Sequence, residues 1–205
     1  MKRATSIEAL LGSLRVVGIV ALSSACLSGA DAKWDRSHGP LDKMGFAGGE
    51  KWMTGHMYFF NNTSFQAADD GADGLGGSSR VIKHCVTRNN IFHVRKSDTH
   101  SISTGGGVDN DFDFDLLSGR HPDGQERHGV SGVPRYAPGA GFDLETRRGT
   151  FQLAAGSPGH DAGSVIPNFC DAFAGKAPDM GAHESGAAPM EFGVRARFVP
   201  QPERR

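Results

Sequence analysis

The chain has 205 residues, enough for one domain with its own apolar core, and a formal net charge of -1. That balance excludes a long-range electrostatic pull toward nucleic acid or an anionic membrane surface. Glycine is abundant (29 residues) and phenylalanine (13) far outnumbers tyrosine and tryptophan (two each), which predicts short apolar strands between tight turns, an all-β pattern.

Residues 1–32 read as a leader. Lys2, Arg3 and Arg15 supply positive charge, Val16 to Leu27 is mostly apolar, and Ala30-Asp31-Ala32 offers a small-x-small cleavage site. The apolar run is too short and too rich in serine to span a bilayer, so no membrane span is expected in the mature chain. The expected location is secreted, periplasmic or cell-surface, in a bacterium. An amphipathic helix or a mis-chosen start codon are the alternatives. A lipoprotein reading would use Cys26, but Ser23 stands where a bulky aliphatic residue is wanted.

Residues 33–51 form a loop-rich lead-in of Gly, Pro and charges. Four related segments follow: "HMYFFNNTSF" at 56–65, "HCVTRNNIFHV" at 84–94, "VDNDFDFDLLSG" at 108–119 and "GFDLETRRGTFQLAAGSP" at 141–158. In the first two, an apolar strand runs into Asn61-Asn62 or Asn89-Asn90 and then resumes; the pairs lie 28 positions apart, and Asp113 to Asp115 follow about 25 later. A period in the twenties predicts coils that bury their apolar sides by stacking. Asn tolerates the left-handed region, so it can turn a strand sharply, and its amide can bond to an equivalent Asn one coil away. Asn62-Thr63-Ser64 also fits a glycosylation sequon. The polar stretches 66–80, 95–107 and 120–141 read as excursions between coils, and 187–205 as a tail.

This set of motifs resembles secreted bacterial right-handed parallel β-helix repeat proteins of the pectate-lyase-like superfamily. Asn61-Asn62-Thr63, Asn89-Asn90-Ile91-Phe92, Asp113-Phe114-Asp115-Leu116 and His128-Gly-Val-x-Gly-x-Pro134 carry it. So does the ending: Ser157-Pro158, Asp161-x-Gly163 and Pro178-Asp179-x-Gly181-Ala182-x-Glu184. The resemblance implies a parallel β-helix of about four coils over 52–186, with a C-terminal cap that crosses the open end of the stack and lays down a final edge strand. Family members have many more coils, so the expectation is a truncated solenoid whose partner is a set of missing N-terminal coils.

The resemblance also implies polysaccharide partners, often uronic acids. Its lyases use a basic residue to remove the proton beside a carboxylate that Arg, Lys or calcium neutralises. Candidates for that chemistry are Lys83, Arg88 and Arg95, with His84 and His93 as substrate-binding candidates; ordinary solvated side chains are the alternative. Asp111, Asp113 and Asp115 would share a face if extended, and three adjacent carboxylates repel unless a cation or donors lie among them. They are the candidate calcium ligands; an outward acidic face flanking buried Phe112 and Phe114 is the alternative, and no other cofactor is expected. "DDGADG" at 69–74 fails the EF-hand template at Gly71 and Arg80. No nucleophile elbow, phosphate-binding loop or zinc spacing occurs in the chain. Cys26, Cys85 and Cys170 make no disulfide framework; a Cys85–Cys170 bond and two buried thiols are both open.

Three functions follow from these expectations. The first is the coils and cap of an exported carbohydrate-associated β-helix without a complete active site. The second is a polysaccharide lyase or glycosidase. The third is a structural, adhesin-like surface module.

Overall fold

The computed structural model describes residues 57–65, 73–76, 81–96, 98–143 and 148–188. The leader at 1–32 and the lead-in at 33–51 lie outside them, as does nearly all of the tail. The described residues are all-β, with no helix.

The strands are short and come in pairs broken by a corner. Strand β1 (Met57–Phe60) is followed by β2 (Thr63–Phe65), β3 (Cys85–Arg88) by β4 (Ile91–His93), and β5 (Asp111–Phe112) by β6 (Leu116–Leu117). At each corner one residue is left-handed: Asn61 (φ 54°), Asn89 (φ 57°) and Phe114 (φ 60°). A positive φ redirects the chain within one residue, which asparagine tolerates better than most side chains. Each first strand then joins one sheet and each second strand another. The first sheet runs β1-β3-β5; the second runs β2-β4-β6-β7, where β7 is Val130–Ser131. Every pairing in both sheets is parallel. Met57 pairs with Cys85 and Thr63 with Ile91, so equivalent positions repeat after 28 residues. Parallel bridges from Leu75 to Ile102 and from His100 to Arg120 supply a third side.

A buried polar column runs through the corners. Asn62 donates its backbone N–H (3.0 Å) and its side-chain Nδ2 (2.9 Å) to Oδ1 of Asn90. Asn90 repeats the pattern onto Oδ1 of Asp115, at 2.7 and 2.8 Å. The backbone N–H of Asp115 then donates to Oε2 of Glu126 (3.1 Å), and the Thr87 hydroxyl donates to Oδ2 of Asp115. The equivalent position on the next rung is Gly129, where an added Cβ would stand 2.5 Å from Glu126 Oε2. Glycine leaves the space into which Glu126 folds back. Adjacent parallel strands lie about 4.8 Å apart, a spacing an amide bridges with one hydrogen bond. The expected Asn ladder is therefore present, but through one residue of each pair only. Asn89 turns outward and clasps Ser164, accepting from its N–H and donating to its C=O, both at 2.7 Å. Asn62 is buried and its amide also bonds Phe60 O, so the sequon asparagine offers no free nitrogen for a glycan in the folded chain.

Two apolar clusters lie on opposite sides of the second sheet. Inside, Phe92 and Leu117 meet Met57, Phe59, Cys85 and Phe112 of the first sheet and Leu75, Ile82 and Ile102. Outside, Ile91 and Leu116 meet Leu153 and Met180 of the C-terminal segment. A parallel sheet is normally covered on both faces, and here the chain's own ending covers the second sheet.

That ending departs from expectation in three ways. Segment 141–158 is not a fourth coil: it contains an antiparallel hairpin of β8 (Gly141–Asp143) and β9 (Arg148–Thr150). The fourth parallel strand is β7, inside the stretch expected to be a loop excursion. Residues 178–184 form no strand, and they lie along the flank of the second sheet rather than across an open end. Gly181 N–H donates to Asn89 O (2.6 Å) and Ala182 N–H to the Thr63 hydroxyl (3.1 Å), so the segment touches two rungs. Gly181 has φ 103°, and a Cβ there would lie 2.6 Å from Ile91 Cδ1. The physical reason is the outward pair Ile91 and Leu116, whose burial outweighs edge protection as a role for this segment.

Two predictions follow from the column. Asn90→Ala leaves the Asn62 N–H without its buried acceptor and removes the Nδ2 donor to Asp115 Oδ1, and should cost about 3 kcal/mol in a urea titration. The second concerns Asp115 and Glu126, whose pKa values are both pushed up. Burial is the main cause for each; the Asp115 charge adds to it at Glu126, and bonds from Asn90 and Thr87 oppose it at Asp115. A raised carboxyl pKa means that stability is present below the ordinary carboxylate range and is lost as pH rises through neutrality into the alkaline range. Glu126→Gln should flatten that loss and raise the thermal midpoint at pH 8 by about 2–4 °C, the size of a ~1 kcal/mol gain.

Candidate functional site

The outer face of the first sheet carries exposed aromatic and charged groups side by side. Alternation along β1 turns Met57 and Phe59 inward, leaving Tyr58 and Phe60 outside; Tyr58 is 60% exposed. Their rings lie 6.0 Å apart, and Phe169, 45% exposed, meets Phe60 edge-on at 5.6 Å. The register sets Tyr58 beside Val86, which pairs in turn with Asp111, and sets Phe60 beside Arg88. Arg88 donates to Asp111 Oδ2 (2.6 Å), to Asp111 O (2.9 Å) and to Thr87 O (2.7 Å).

Beyond Asp111 stands a fixed imidazole. Asp113 Oδ2 lies 2.7 Å from Nδ1 of His128, and Oδ1 accepts the backbone N–H groups of His128 (2.7 Å) and Phe114 (3.0 Å). The His128 ring stacks on Phe114 with centroids 4.7 Å apart and planes 14° from parallel. Partial burial pushes the Asp113 carboxyl up, but the bonds from His128 and Phe114 outweigh it and hold the group below its ordinary value. With Nδ1 donating to the carboxylate, a neutral His128 presents Nε2 as an acceptor toward solvent.

The basic residues singled out in the sequence do not converge. Lys83 is half-buried just ahead of β3. His84 sits in the left-handed region (φ 54°) with Nδ1 3.9 Å from Asp109 Oδ2. Arg95 is exposed on the far side of the Asn89 corner, its guanidinium 5.1 Å from the Phe65 ring centroid. His93 packs among Phe65, Tyr136 and Phe151 on the outer face of the second sheet, with Nδ1 3.1 Å from the Tyr136 hydroxyl. Burial, helped by the Arg95 charge, lowers its pKa to about 4. Arg88 alone joins the exposed face, and Asp111 already occupies it.

The three aspartates do not share one face. Asp111 and Asp113 precede the left-handed Phe114 and point outward, whereas Asp115 follows it and is fully buried in the polar column. The corner breaks the alternation on which a common calcium site depended, and Phe114 is half-exposed rather than buried. A different trio, His160, Asp161 and Asp179, brings ligand atoms within 4.8 Å of one another. Its carboxylates are largely taken up by the backbone: Asp179 accepts from Asp161 N (2.8 Å) and Ser185 N (2.7 Å), and Asp161 from Lys176 N (3.1 Å).

The other motif residues of the ending hold the flank segment in place. Ser157 Oγ accepts from Arg135 N (2.8 Å), Pro158 lies against Gly132, and Gly163 N donates to Pro178 O (2.8 Å). Glu184 accepts from Asp179 N (2.9 Å) and Ala174 N (3.0 Å). Asn61 marks its corner but has a buried Oδ1 with no hydrogen-bond partner. Cys85 and Cys170 are free and buried. Burial, with the Asp115 charge added, pushes the Cys85 thiol up to about 12, so it is inert as a nucleophile.

No family model, curated protein or solved structure matches the chain. Residue chemistry therefore carries any functional conclusion. Sequence reasoning passed over the Asp113–His128 pair, because its members are 15 positions apart across an irregular turn. It also passed over Phe169, which reaches Phe60 only through the folded ending.

The buried imidazole gives a direct test of this geometry. A histidine pKa lowered by folding ties stability to the neutral ring: stability is present above about 6.5 and lost as pH falls toward about 4. In an NMR titration the His93 ring should stay neutral until about pH 4, and His93→Phe should flatten the fall in thermal midpoint across that window.

Proposed function

We propose that the described region is the stacked coils and closing segment of an exported, carbohydrate-associated right-handed parallel β-helix of the pectate-lyase-like type, without a complete catalytic centre. The observation that carries it is the Asn62–Asn90–Asp115 column with parallel strands in register on both sides. Coils of 28 and then 25 residues around one apolar interior are what a solenoid requires. The carbohydrate class rests on the resemblance of the motif set, because fold alone does not specify chemistry.

The incomplete-centre part of the proposal rests on occupancy. A uronate lyase needs a cation free to neutralise the substrate carboxylate and a base aimed at the neighbouring proton. Arg88 would have to release Asp111 to serve, and His93 is packed under Tyr136. One observation favours the enzyme alternative: the Asp113–His128 pair is oriented as a base would be.

Incubation of the purified chain with pectin, alginate and other uronans, followed by ultraviolet absorbance of the unsaturated product, separates the two. No absorbance rise is expected. A rise abolished by His128→Ala would establish a lyase, and retention on no glycan column at all would move the protein to a structural or adhesin-like role.

A further inference from the structure

Two buried histidines stand in the seam where the chain's ending folds down onto the second sheet. His183, 4% exposed, accepts the backbone N–H of Phe151 at Nδ1 (3.2 Å). A backbone N–H can only donate, so this nitrogen must carry a lone pair, which an imidazolium lacks. The bond ties the 178–184 stretch to the end of β9, where Phe151 meets Phe65 of β2 (centroids 5.3 Å apart) and Leu153 meets Ile91 and Leu116. His93 projects from β4 into the same seam, its ring 5.0 Å from Phe65 and 5.7 Å from Tyr136, with Nδ1 3.1 Å from the Tyr136 hydroxyl. The charge that acts on it is a second cation, Arg95. Burial, helped at His93 by Arg95, lowers the pKa of both rings and keeps them neutral.

We propose that the ending is an acid-released cover: in acid the stretch from Phe151 to Glu184 lifts from the second sheet while the coils beneath it stay stacked. The inference uses the coil stack and is independent of the carbohydrate reading. Cover and coils respond to pH in opposite senses. Folding lowers the pKa of both seam histidines, so their stabilisation is complete above about 6.5 and falls as pH drops toward about 4. In the coils, Asp115 and Glu126 have raised pKa values, so the column loses stabilisation as pH rises and keeps it in acid. Asp113, held low by its bonds from His128 and Phe114, loses its share only below the ordinary carboxylate range. The carboxylates of the cover itself accept backbone N–H groups: Asp179 those of Asp161 and Ser185, Glu184 those of Asp179 and Ala174. Burial pushes Glu184 up, which favours closure in acid, one group against two histidines. Release bares Ile91 and Leu116, both fully buried in the closed form, and gives the acid form an apolar strip for association.

The test is hydrogen-exchange mass spectrometry of the full chain between about pH 7 and about pH 4, with labelling times scaled for the intrinsic pH dependence of amide exchange. Peptides carrying Phe151, Gly181 and Ala182 should lose protection by about tenfold or more at the acid end. Those carrying Ile91, Leu116 and Val130, whose N–H groups bond from rung to rung, should hold theirs. His93→Phe/His183→Gln removes both titrations, the glutamine keeping an acceptor for the Phe151 N–H, and should limit the loss in the cover to about threefold. Should the double variant lack protection at neutral pH, His183→Gln alone is compared in the same way and should recover part of the loss. In either case the contrast between rung and cover amides in the parent stands as its own measurement. Rung and cover amides opening together would make the change global unfolding and overturn the cover. Equal protection of the cover at both ends of the range would overturn it as well. An undiminished acid loss in the histidine variants would assign the release to carboxylates and overturn the histidine mechanism. Rung amides already unprotected at neutral pH would overturn the coil stack and the cover together.

Discussion

The polar column of Asn62, Asn90, Asp115 and Glu126 is the constraint on which the rest depends. Each side-chain oxygen accepts from the rung before it, so every rung must stop at one height and in one register. A slip of one residue would turn the strand alternation over and strand several buried donors at once. Apolar packing alone permits sliding; a buried amide column does not. The same column fixes where each strand breaks, because the left-handed residue sits immediately before each column member through Asp115.

The column ends in acid rather than amide. Asp115 can accept but, ionised, cannot donate, and Glu126 folds back into the space left by Gly129 to meet its N–H. Burial pushes both carboxyl groups toward the protonated form; the Asp115 charge adds to that at Glu126, while the bond from Glu126 opposes it at Asp115. The last regular rung is thus sensitive to rising pH. The regular pairing thins there too, since among the described residues β7 joins the second sheet but no strand follows β5 in the first.

The ending covers the outer face of the second sheet and so decides the surroundings of the side chains there. The ending reaches Asn89 and Thr63 and buries Ile91 and Leu116, so His93 and its aromatic neighbours become packing rather than a binding site. Phe169, carried by the same ending, meets Phe60 on the outer face of the first sheet.

Much of the architecture was written in local chemistry. Repeated Asn-Asn at 28-residue spacing foretold the corners and the ladder, because left-handed tolerance and amide bonding are properties of the residue itself. Which side of the second coil faces in was not legible, because both parities of residues 81–86 carry apolar side chains. Local chemistry was silent on the fate of 141–184, since hairpin, coil and flank segment draw on the same Gly, Pro and Asp residues. It was silent too on Asp111, Asp113 and Asp115, where a single positive φ at Phe114 sends the third carboxylate inward. The pairing of Asp113 with His128, and the occupation of Arg88 by Asp111, exist only across rungs. Short-range rules see one strand at a time, and the candidate site is made of neighbours that stacking alone brings together.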